Sequence, residues 1–326
     1  MIETISLFQH DCLDPYRNLA VEEYLLDTVK PGQCILYLWQ NENTVVIGRS
    51  QNAWKECRTS VLEQEGGHLA RRLSGGGAVF HDRGNLNFTF LVCEQDYDLD
   101  RQLSVIQSAC KALGLEAERS GRNDVLVDGR KFSGNAFYHS KGKAYHHGTV
   151  LVDTDGEKMA RYLSPSKAKL QAKGVESVRA RVVNLIELVP GLTCARMAEE
   201  LAAAFERVYG IQAQTIDPSS LEWERIDRLQ VRNVSDDWLY GPRLPLTFQC
   251  EERFSWGGVQ LQMQVESGVV VQAKVYSDAM DWDLAPALER ALTGSRFLLA
   301  ELCKRIEKQL GEYAADLCEM LTRQEI

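Results

Sequence analysis

Two stretches of this chain carry residue types suited to handling an anion. The first runs Arg71-Arg72-Leu73-Ser74-Gly75-Gly76-Gly77-Ala78-Val79-Phe80-His81-Asp82 and continues through Gly84-Asn85 to Asn87-Phe88. Three consecutive glycines let the backbone turn and approach a ligand closely, and their amide hydrogens can converge on an anion. Each arginine adds a planar fork of donors that matches carboxylate or phosphate oxygens. A phosphorylated or carboxylated small molecule is the natural guest. Taken singly, the glycines equally suit a tight connection and the arginines a solvated edge. The pattern is not a P-loop, because no Gly-Lys-Ser/Thr follows, and not a dinucleotide fingerprint, because no helix pattern starts on the glycines.

The second stretch reads Gly121-Arg122-Asn123-Asp124, then Gly129-Arg130-Lys131-Phe132-Ser133-Gly134-Asn135-Ala136, then His146-His147-Gly148-Thr149. Lys131 leaves an Asp-Gly hairpin and is either a solvated lysine or a cation at a site. Asp124 is either a turn cap after Asn123 or a contact for a metal or an amine. Adjacent histidines on a strand point to opposite faces, so His146 and His147 do not chelate one metal, and at most one of them looks into a pocket.

The string Arg-Arg-x-Ser-Gly-Gly-Gly-x-Val-x-His-Asp-x-Gly-Asn resembles the signature of the lipoate-protein ligases, and the second stretch follows it in that family's order and at similar distance. Asn18 to Glu23, Val45 to Arg49, Lys55 to Cys57, Gly174 to Asn184 and Arg253 to Gly258 extend the likeness over nearly the whole chain. The resemblance is to the two-domain bacterial type within the biotin/lipoate ligase superfamily. It implies that lipoate and ATP condense to lipoyl-adenylate with loss of pyrophosphate. The acyl group then passes to a lysine of a lipoyl carrier domain, on the E2 subunits of 2-oxoacid dehydrogenases or on the glycine cleavage H protein.

Carried onto this sequence, the family pattern makes Lys131 the catalytic cation. It gives ATP and the adenylate to Arg72, Ser74, Gly75, Gly76, Gly77, Ala78, Val79, Phe80, Asn123, Asp124 and Lys131. Glu22, Trp39, His81, Asn87 and His147 line the lipoate pocket, although Trp39 in a strand is otherwise a core residue. Lys173, Gly174 and Val175 fall in a loop over the adenylate, within the basic run Lys167 to Arg181. That run could equally dock the carrier or be a solvated loop. Mg²⁺ accompanies the ATP, with Asp124 its candidate ligand.

Two alternatives differ in chemistry. Octanoyl- and lipoyl-transferases act without adenylation through a cysteine, but no cysteine lies between Cys110 and Cys194, and Cys110 sits on the apolar face of a helix. A non-catalytic lipoate-binding homologue is the other; Arg72, the glycines and Lys131 are all in place against it. Biotin ligases would show a Gly-Arg-Gly-Arg run, which is absent.

A chain of 326 residues with 44% hydrophobic and 25% charged content is an ordinary globular protein of one or two domains. Its net charge of -9 excludes broad electrostatic binding to nucleic acid or to an anionic membrane. Nine scattered cysteines with no Cys-x-x-Cys fit reduced, mostly buried thiols. With no signal-peptide pattern at Met1 to Asp14 and no apolar run of spanning length, the reading is cytoplasmic.

The elements that must hold these residues read as follows. A strand, Ile2 to Phe8, leads to a helix from Asp14-Pro15 to about Val29. Cys34 to Trp39 and Thr44 to Ile47 read as a hairpin turning at Asn41-Glu42-Asn43. Asn52 caps a helix through about Glu65, and His68 to Arg72 leads back into the sheet. Ala78 to Phe80 and Leu86 to Val92 are strands. A helix from Asp98 or Asp100 stops at Gly114, and Asp128-Gly129 turns a hairpin between Val125–Val127 and Arg130–Phe132. Tyr145 to Val152 is a further strand.

A helix runs from Thr193 to Tyr209, another from Pro218 through Leu229, and a linker follows at Gly241-Pro242 and Pro245. Beyond it come a meander turning at Gly257-Gly258 and Ser267-Gly268, and then two or three helices. The class is α+β: a large domain with a mixed, mostly antiparallel sheet flanked by helices, of the biotin/lipoate ligase and class II synthetase-like kind, plus a small α+β C-terminal domain. The expected division is 1–243, catalytic, and 244–326, accessory.

Overall fold

The structure is a computed structural model that describes residues 1–121, 123–164, 182–241 and 245–324. The chain divides into two compact units. One comprises Met1–Val46, Trp54–Arg71 and Val79–Leu239, the other Ile47–Ala53, Arg72–Ala78 and Tyr240–Ile326.

The strands are β1 (Thr4–Gln9), β2 (Gln33–Trp39), β3 (Thr44–Ile47), β4 (His68–Arg71), β5 (Val79–His81), β6 (Asn85–Cys93), β7 (Ala117–Ser120), β8 (Asp124–Val127), β9 (Arg130–Ser140), β10 (Lys143–Leu151), β11 (Gln214–Thr215), β12 (Phe248–Phe254), β13 (Gly257–Glu266) and β14 (Val269–Ser277). The first unit is built on a sheet in the order β11-β1-β2-β6-β10-β9-β8-β7. The β1 pairings are parallel, and every pairing from β2 to β7 is antiparallel. The sheet is therefore mixed and mostly antiparallel, as the sequence implies. A second, small sheet has the order β4-β3-β5.

Strand periodicity sorts the large sheet into two faces. Leu86, Phe88, Phe90 and Val92 of β6 join Leu36 and Leu38 of β2, Ala144 and Val150 of β10 and Val125 and Val127 of β8 in the main core. The helices Leu99–Ala112 and Cys194–Tyr209 supply its other side. Both start on side-chain caps: Asp98 accepts from Arg101 N at 3.0 Å and Thr193 from Arg196 N at 3.1 Å. Gly210 ends the second helix at φ 67°, a left-handed cap that favours glycine. On the opposite face lies the helix Pro15–Thr28, capped by Asp14, with the helix Trp223–Asn233 packed against it.

Several local expectations are corrected. β2 and β3 do not form a hairpin: β2 pairs with β1 and β6, and β3 with β5. The connection is a crossing between the two sheets, tied to the first helix where Asn18 Nδ2 donates to Gln40 O and to the buried Asn41 Oδ1. The helix expected from Asn52 to Glu65 is two, Ala53–Glu56 and Thr59–Gln64, broken where Cys57 bridges to Leu163 and Arg58 N donates to Tyr162 O. The helix expected from Pro218 begins instead at Trp223, after a 3₁₀ turn whose Pro218 carbonyl accepts from the Trp223 indole. Gly257-Gly258 opens β13 rather than turning the meander, since Gly257 packs on Ala279, where a Cβ would lie 2.9 Å from the Ala279 Cα.

The second unit is the antiparallel meander β12-β13-β14 backed by the helices Leu284–Leu292, Leu299–Gln309 and Ala314–Thr322 around their own apolar core. Among the described residues no helix is long and apolar enough to cross a membrane.

Candidate active site

On β6 the positions that alternate with the core residues begin with Asn85, Asn87 and Thr89, polar and buried, before the apolar Leu91 and Cys93. They face the side of the first helix, and a hydrogen-bonded cluster forms there. Thr89 Oγ1 donates to Glu22 Oε1 at 2.7 Å, and Trp39 Nε1 donates to Thr89 Oγ1 at 3.1 Å. His147 Nδ1 lies 2.8 Å from the same Glu22 oxygen. Glu22 is only 1% exposed, so its carboxyl group relies on these partners for hydrogen bonds. His81 stands edge-on to Trp39 and meets Asn41 Nδ2 at 3.1 Å. Asn87 accepts from Asn85 through Oδ1, while its Nδ2 has no hydrogen-bond partner among the described residues. The two histidines are both buried, on opposite faces: His147 in this cluster, His146 among Phe88, Phe90 and Phe137 in the main core.

The pairing registers set these residues in a line. Trp39 stands opposite Asn87, Asn87 opposite Thr149, and Gly134 opposite Asp124. Gly134 N donates to Thr149 Oγ1 at 3.3 Å and closes the row. At about 4.8 Å per strand the line from Trp39 to Asp124 spans about 19 Å.

Lys131 joins that face through a β-bulge. Val125 pairs with Ser133, but Leu126 pairs with Lys131, so Phe132 is an extra residue in β9. A regular strand would put Lys131 on the side of Ser133 and Asn135, towards the core; the bulge gives Phe132 the core position and turns Lys131 to the side of Asp124. Lys131 Nζ is 2.6 Å from Asp124 Oδ1, both about a third exposed. The lysine lies across Gly134, where a Cβ would stand 3.0 Å from Nζ. Asn123 is held to β9 by its carbonyl, which accepts from Asn135 N at 2.8 Å and from Asn135 Nδ2 at 3.1 Å. Val182 forms a parallel bridge to Lys131, and Val183 N donates to its carbonyl.

The glycine stretch from Arg72 to Ala78 belongs to the second unit. Arg72 is buried, and its guanidinium binds the loop itself: Nε donates to Ser74 Oγ at 3.0 Å, and Nη2 to the carbonyls of Gly75 and Gly77, each at 2.7 Å. Gly76 has φ 86°, and its N–H donates to Ala279 O at 2.9 Å. A Cβ on Gly75 would lie 2.5 Å from Ala279 O, and one on Gly48 2.3 Å from Gly76 O, so backbone approaches backbone at both. Val79 and Phe80 leave the loop as β5, in the first unit. Lys173, Gly174 and Val175 lie outside the described residues.

Five of the thiols offer little nucleophilicity. Burial pushes Cys34, Cys57, Cys110 and Cys194 up to about 12 and Cys250 up to about 11. Among the described residues no group of three or more His, Cys, Asp or Glu side chains could hold a metal ion. The sequence reading missed Thr89 and Asn135. The period-two polar positions Asn85, Asn87 and Thr89 inside an apolar strand were the available signal for the first. Asn135 stood within the second stretch without a role of its own, because its bond to His146 appears only once β9 and β10 pair.

Residues 14–206 match the family model of the lipoyl protein ligase A/B catalytic domain, and residues 245–320 match that of the bacterial lipoate protein ligase C-terminus. The chain belongs to the lipoyl protein ligase A/B family and carries the bacterial C-terminal module. Its structure is similar to that of P. falciparum LipL1 in complex with lipoate, with 26% identity, a TM-score of 0.86 and coverage of 98% of this chain and 99% of that one. A bi-partite lipoate protein ligase, from a structural analysis that includes its E2 lipoyl domain in Thermoplasma acidophilum, is 26% identical. Its TM-score is 0.66, over 76% of this chain and 100% of that one. A lipoate-protein ligase A bound with ATP shares the fold at 24% identity and a TM-score of 0.64, over 74% of this chain and 99% of that one.

Proposed function

We propose that this protein is a cytoplasmic, ATP-dependent lipoate-protein ligase that forms lipoyl-adenylate and transfers the lipoyl group to the lysine of apo lipoyl domains on E2 subunits or of the glycine cleavage H protein. The observation that carries the reading is the row on one sheet face, with polar Glu22, Thr89, His147 and Asn87 towards one end and Lys131 turned onto the other by the bulge. The lipoate- and ATP-bound relatives support it.

In the first step a lipoate oxygen attacks the α-phosphorus of ATP and pyrophosphate leaves. Two anions must meet, so a fixed cation at the junction lowers the barrier most. Lys131 takes that role, since a compact ammonium can bridge a carboxylate and a phosphate oxygen that a planar fork fits poorly. Arg72 acts by holding the glycine loop in shape from Ser74 to Gly77; the loop residues, Val79, Phe80 and Asn123 are assigned to the nucleotide on the sequence pattern. Trp39, His81, Asn87, Glu22 and His147 receive the acyl group. In the second step the carrier amine attacks the acyl carbon, AMP departs with the bonding electron pair, and the amine proton is released.

Mg²⁺ takes most of its ligands from phosphate and water and needs only one or two carboxylates, so the single acid Asp124 fits it. When bound, the ion neutralises charge on the leaving pyrophosphate. The loop residues Lys173, Gly174 and Val175 are assigned to cover the adenylate on the sequence pattern alone. Residues 1–243 are assigned as the catalytic part and 244–326 as the accessory part.

Intact-mass analysis of an apo lipoyl domain incubated with the protein, lipoate, ATP and Mg²⁺, alongside Lys131→Ala, tests the reading. One lipoyl group gained, dependent on ATP and on Lys131, is expected. Transfer that ignores ATP would establish the transferase alternative, and lipoate binding without pyrophosphate release the non-catalytic one.

A further inference from the structure

A chain of buried side chains runs from the core to the base of Lys131. Gln102, on the helix Leu99–Ala112, has Oε1 3.2 Å from His146 Nδ1, and His146 Nε2 is 2.7 Å from Asn135 Oδ1. Asn135 Nδ2 and N both donate to Asn123 O, and Asn123 Nδ2 returns a bond to Asn135 O at 3.3 Å. Asp124 follows directly and holds Lys131. His146 and Gln102 are fully buried, and Asn135 is 5% exposed.

The chemistry fixes one tautomer. Asn135 Oδ1 accepts only, so His146 Nε2 must carry the proton and Nδ1 is a lone pair. Gln102 serves that lone pair through its amide NH₂, the group that has no other partner among the described residues, with the amide turned to suit. Burial among Phe88, Phe90 and Phe137 pushes His146 down to about 3, so the ring is neutral at working pH. Gly148, beside it, has no room for a Cβ, which would meet Phe88 Cζ at 2.6 Å and Asn135 Oδ1 at 2.9 Å.

We infer that His146 is a positioning residue: through Asn135 it fixes the Asn123–Asp124 backbone, and so the place from which Asp124 hands the Lys131 ammonium to the reacting carboxylate and phosphate. This rests on the ligase reading above. A buried imidazole needs partners for its ring nitrogens, and here one of those partners is the amide that also holds Asn123. The pairing orients the Asn135 amide, which supplies one of the three hydrogen bonds that tie Asn123 to Asn135.

The test compares His146→Phe, which keeps the ring and removes the donor, with His146→Gln, whose amide NH₂ reaches towards the Nε2 position. Lipoate-dependent pyrophosphate release, thermal unfolding and the labelling rate of Lys131 by an amine-reactive ester, read by peptide mass spectrometry, are measured on each. In His146→Phe, kcat is expected to fall about tenfold to a hundredfold with the KM for lipoate little changed, as for a displaced catalytic group. Lys131 labelling should change in parallel, and His146→Gln should recover most of both. Should His146→Phe not fold, Asn135→Ala interrupts the same chain nearer the surface and carries the same expectation. Folded variants with wild-type kcat and wild-type Lys131 labelling would overturn the inference, as would loss in both variants that follows stability alone. If wild-type protein releases no pyrophosphate, the ligase reading fails, and Lys131 labelling still decides the positioning claim.

Discussion

Lys131 Nζ rests 2.6 Å from Asp124 Oδ1 because Phe132 bulges out of register in β9. The pair is about a third exposed on each side, so solvent screens it and its share of stability is small. Asp124→Asn should change the unfolding free energy by less than about 1 kcal/mol. Lys131→Ala should leave the fold intact and slow pyrophosphate release about a hundred- to a thousandfold, as when one preorganised donor to a developing charge is lost. Thermal unfolding with a pyrophosphate assay separates the two effects, and a fully active Lys131→Ala would remove Lys131 from the chemistry.

Gly134 on β9 and Gly148 on β10, which stands opposite Asn135, look to opposite faces of the sheet and should fail differently when replaced by alanine. At Gly134 the new methyl meets the movable end of Lys131, 3.0 Å away, so stability should hold while activity drops. At Gly148 it meets Phe88 and the Gly134 carbonyl at 2.6 and 2.7 Å, and overpacking of this kind costs about 1–3 kcal/mol. Equal losses of stability in the two variants would contradict this placement of the lysine.

Much of this was legible locally. Asp14, Asp98 and Thr193 announce their helices because a cap is a contact within three residues, and Asp128-Gly129 forms its turn with φ of 51° and 71°, the backbone that such a pair selects. The glycine run and Lys131 could be found because their types and spacing are unusual. What could not be read depends on distant partners. The β2–β3 connection looks like a turn, and only Asn18 reaching back to Asn41 makes it a crossing. The bulge is hidden as well, because Lys131-Phe132-Ser133 satisfies an unbroken strand pattern until β8 supplies the register.

In the glycine loop, Gly75 and Gly77 should part company. A Cβ on Gly75 would strike the carbonyl oxygens of Ala279 and Met280 at 2.5 and 2.6 Å, whereas Gly77 has nothing within 4 Å of one. Gly75→Ala should therefore lower the melting temperature, while Gly77→Ala should melt as wild type does. If a nucleotide approaches the backbone at Gly77, the second variant will still show a raised KM for ATP. Calorimetry and ATP titration read the two halves independently.

Glu22 concentrates the buried polarity of the first unit, accepting from Thr89 at 2.7 Å and lying 2.8 Å from His147 Nδ1. Truncation to alanine strands the buried Thr89 hydroxyl and His147 ring nitrogen, for which a cost of about 1–3 kcal/mol is typical. Glu22→Gln keeps the shape and an acceptor for Thr89, so it should stay folded and show its effect in the KM for lipoate, with the KM for ATP unchanged. Denaturant unfolding of both variants and the two KM values check this; a Glu22→Gln protein affected only in ATP binding would place the acyl pocket elsewhere.

The acid limit of stability should carry the mark of His146. Its folded value is depressed from 6.5 to about 3, chiefly by burial, with the charges of His147 and Arg119 acting in the same direction. Between those two values the unfolded chain binds a proton that the folded chain refuses, so stability rises with pH across that window and is lost as pH falls from about 6.5 towards 3. Asp96, Glu42, Glu65 and Asp217, with lowered values, also cost stability in acid, so the total curve is not diagnostic. The difference between wild type and His146→Phe is. Although the variant starts less stable for want of a donor to Asn135, its melting temperature should fall less steeply with acid, and the two curves should converge below pH 5. Parallel curves would mean that His146 already titrates alike in both states, which a side chain sealed among three phenylalanines and hydrogen-bonded at both nitrogens does not permit.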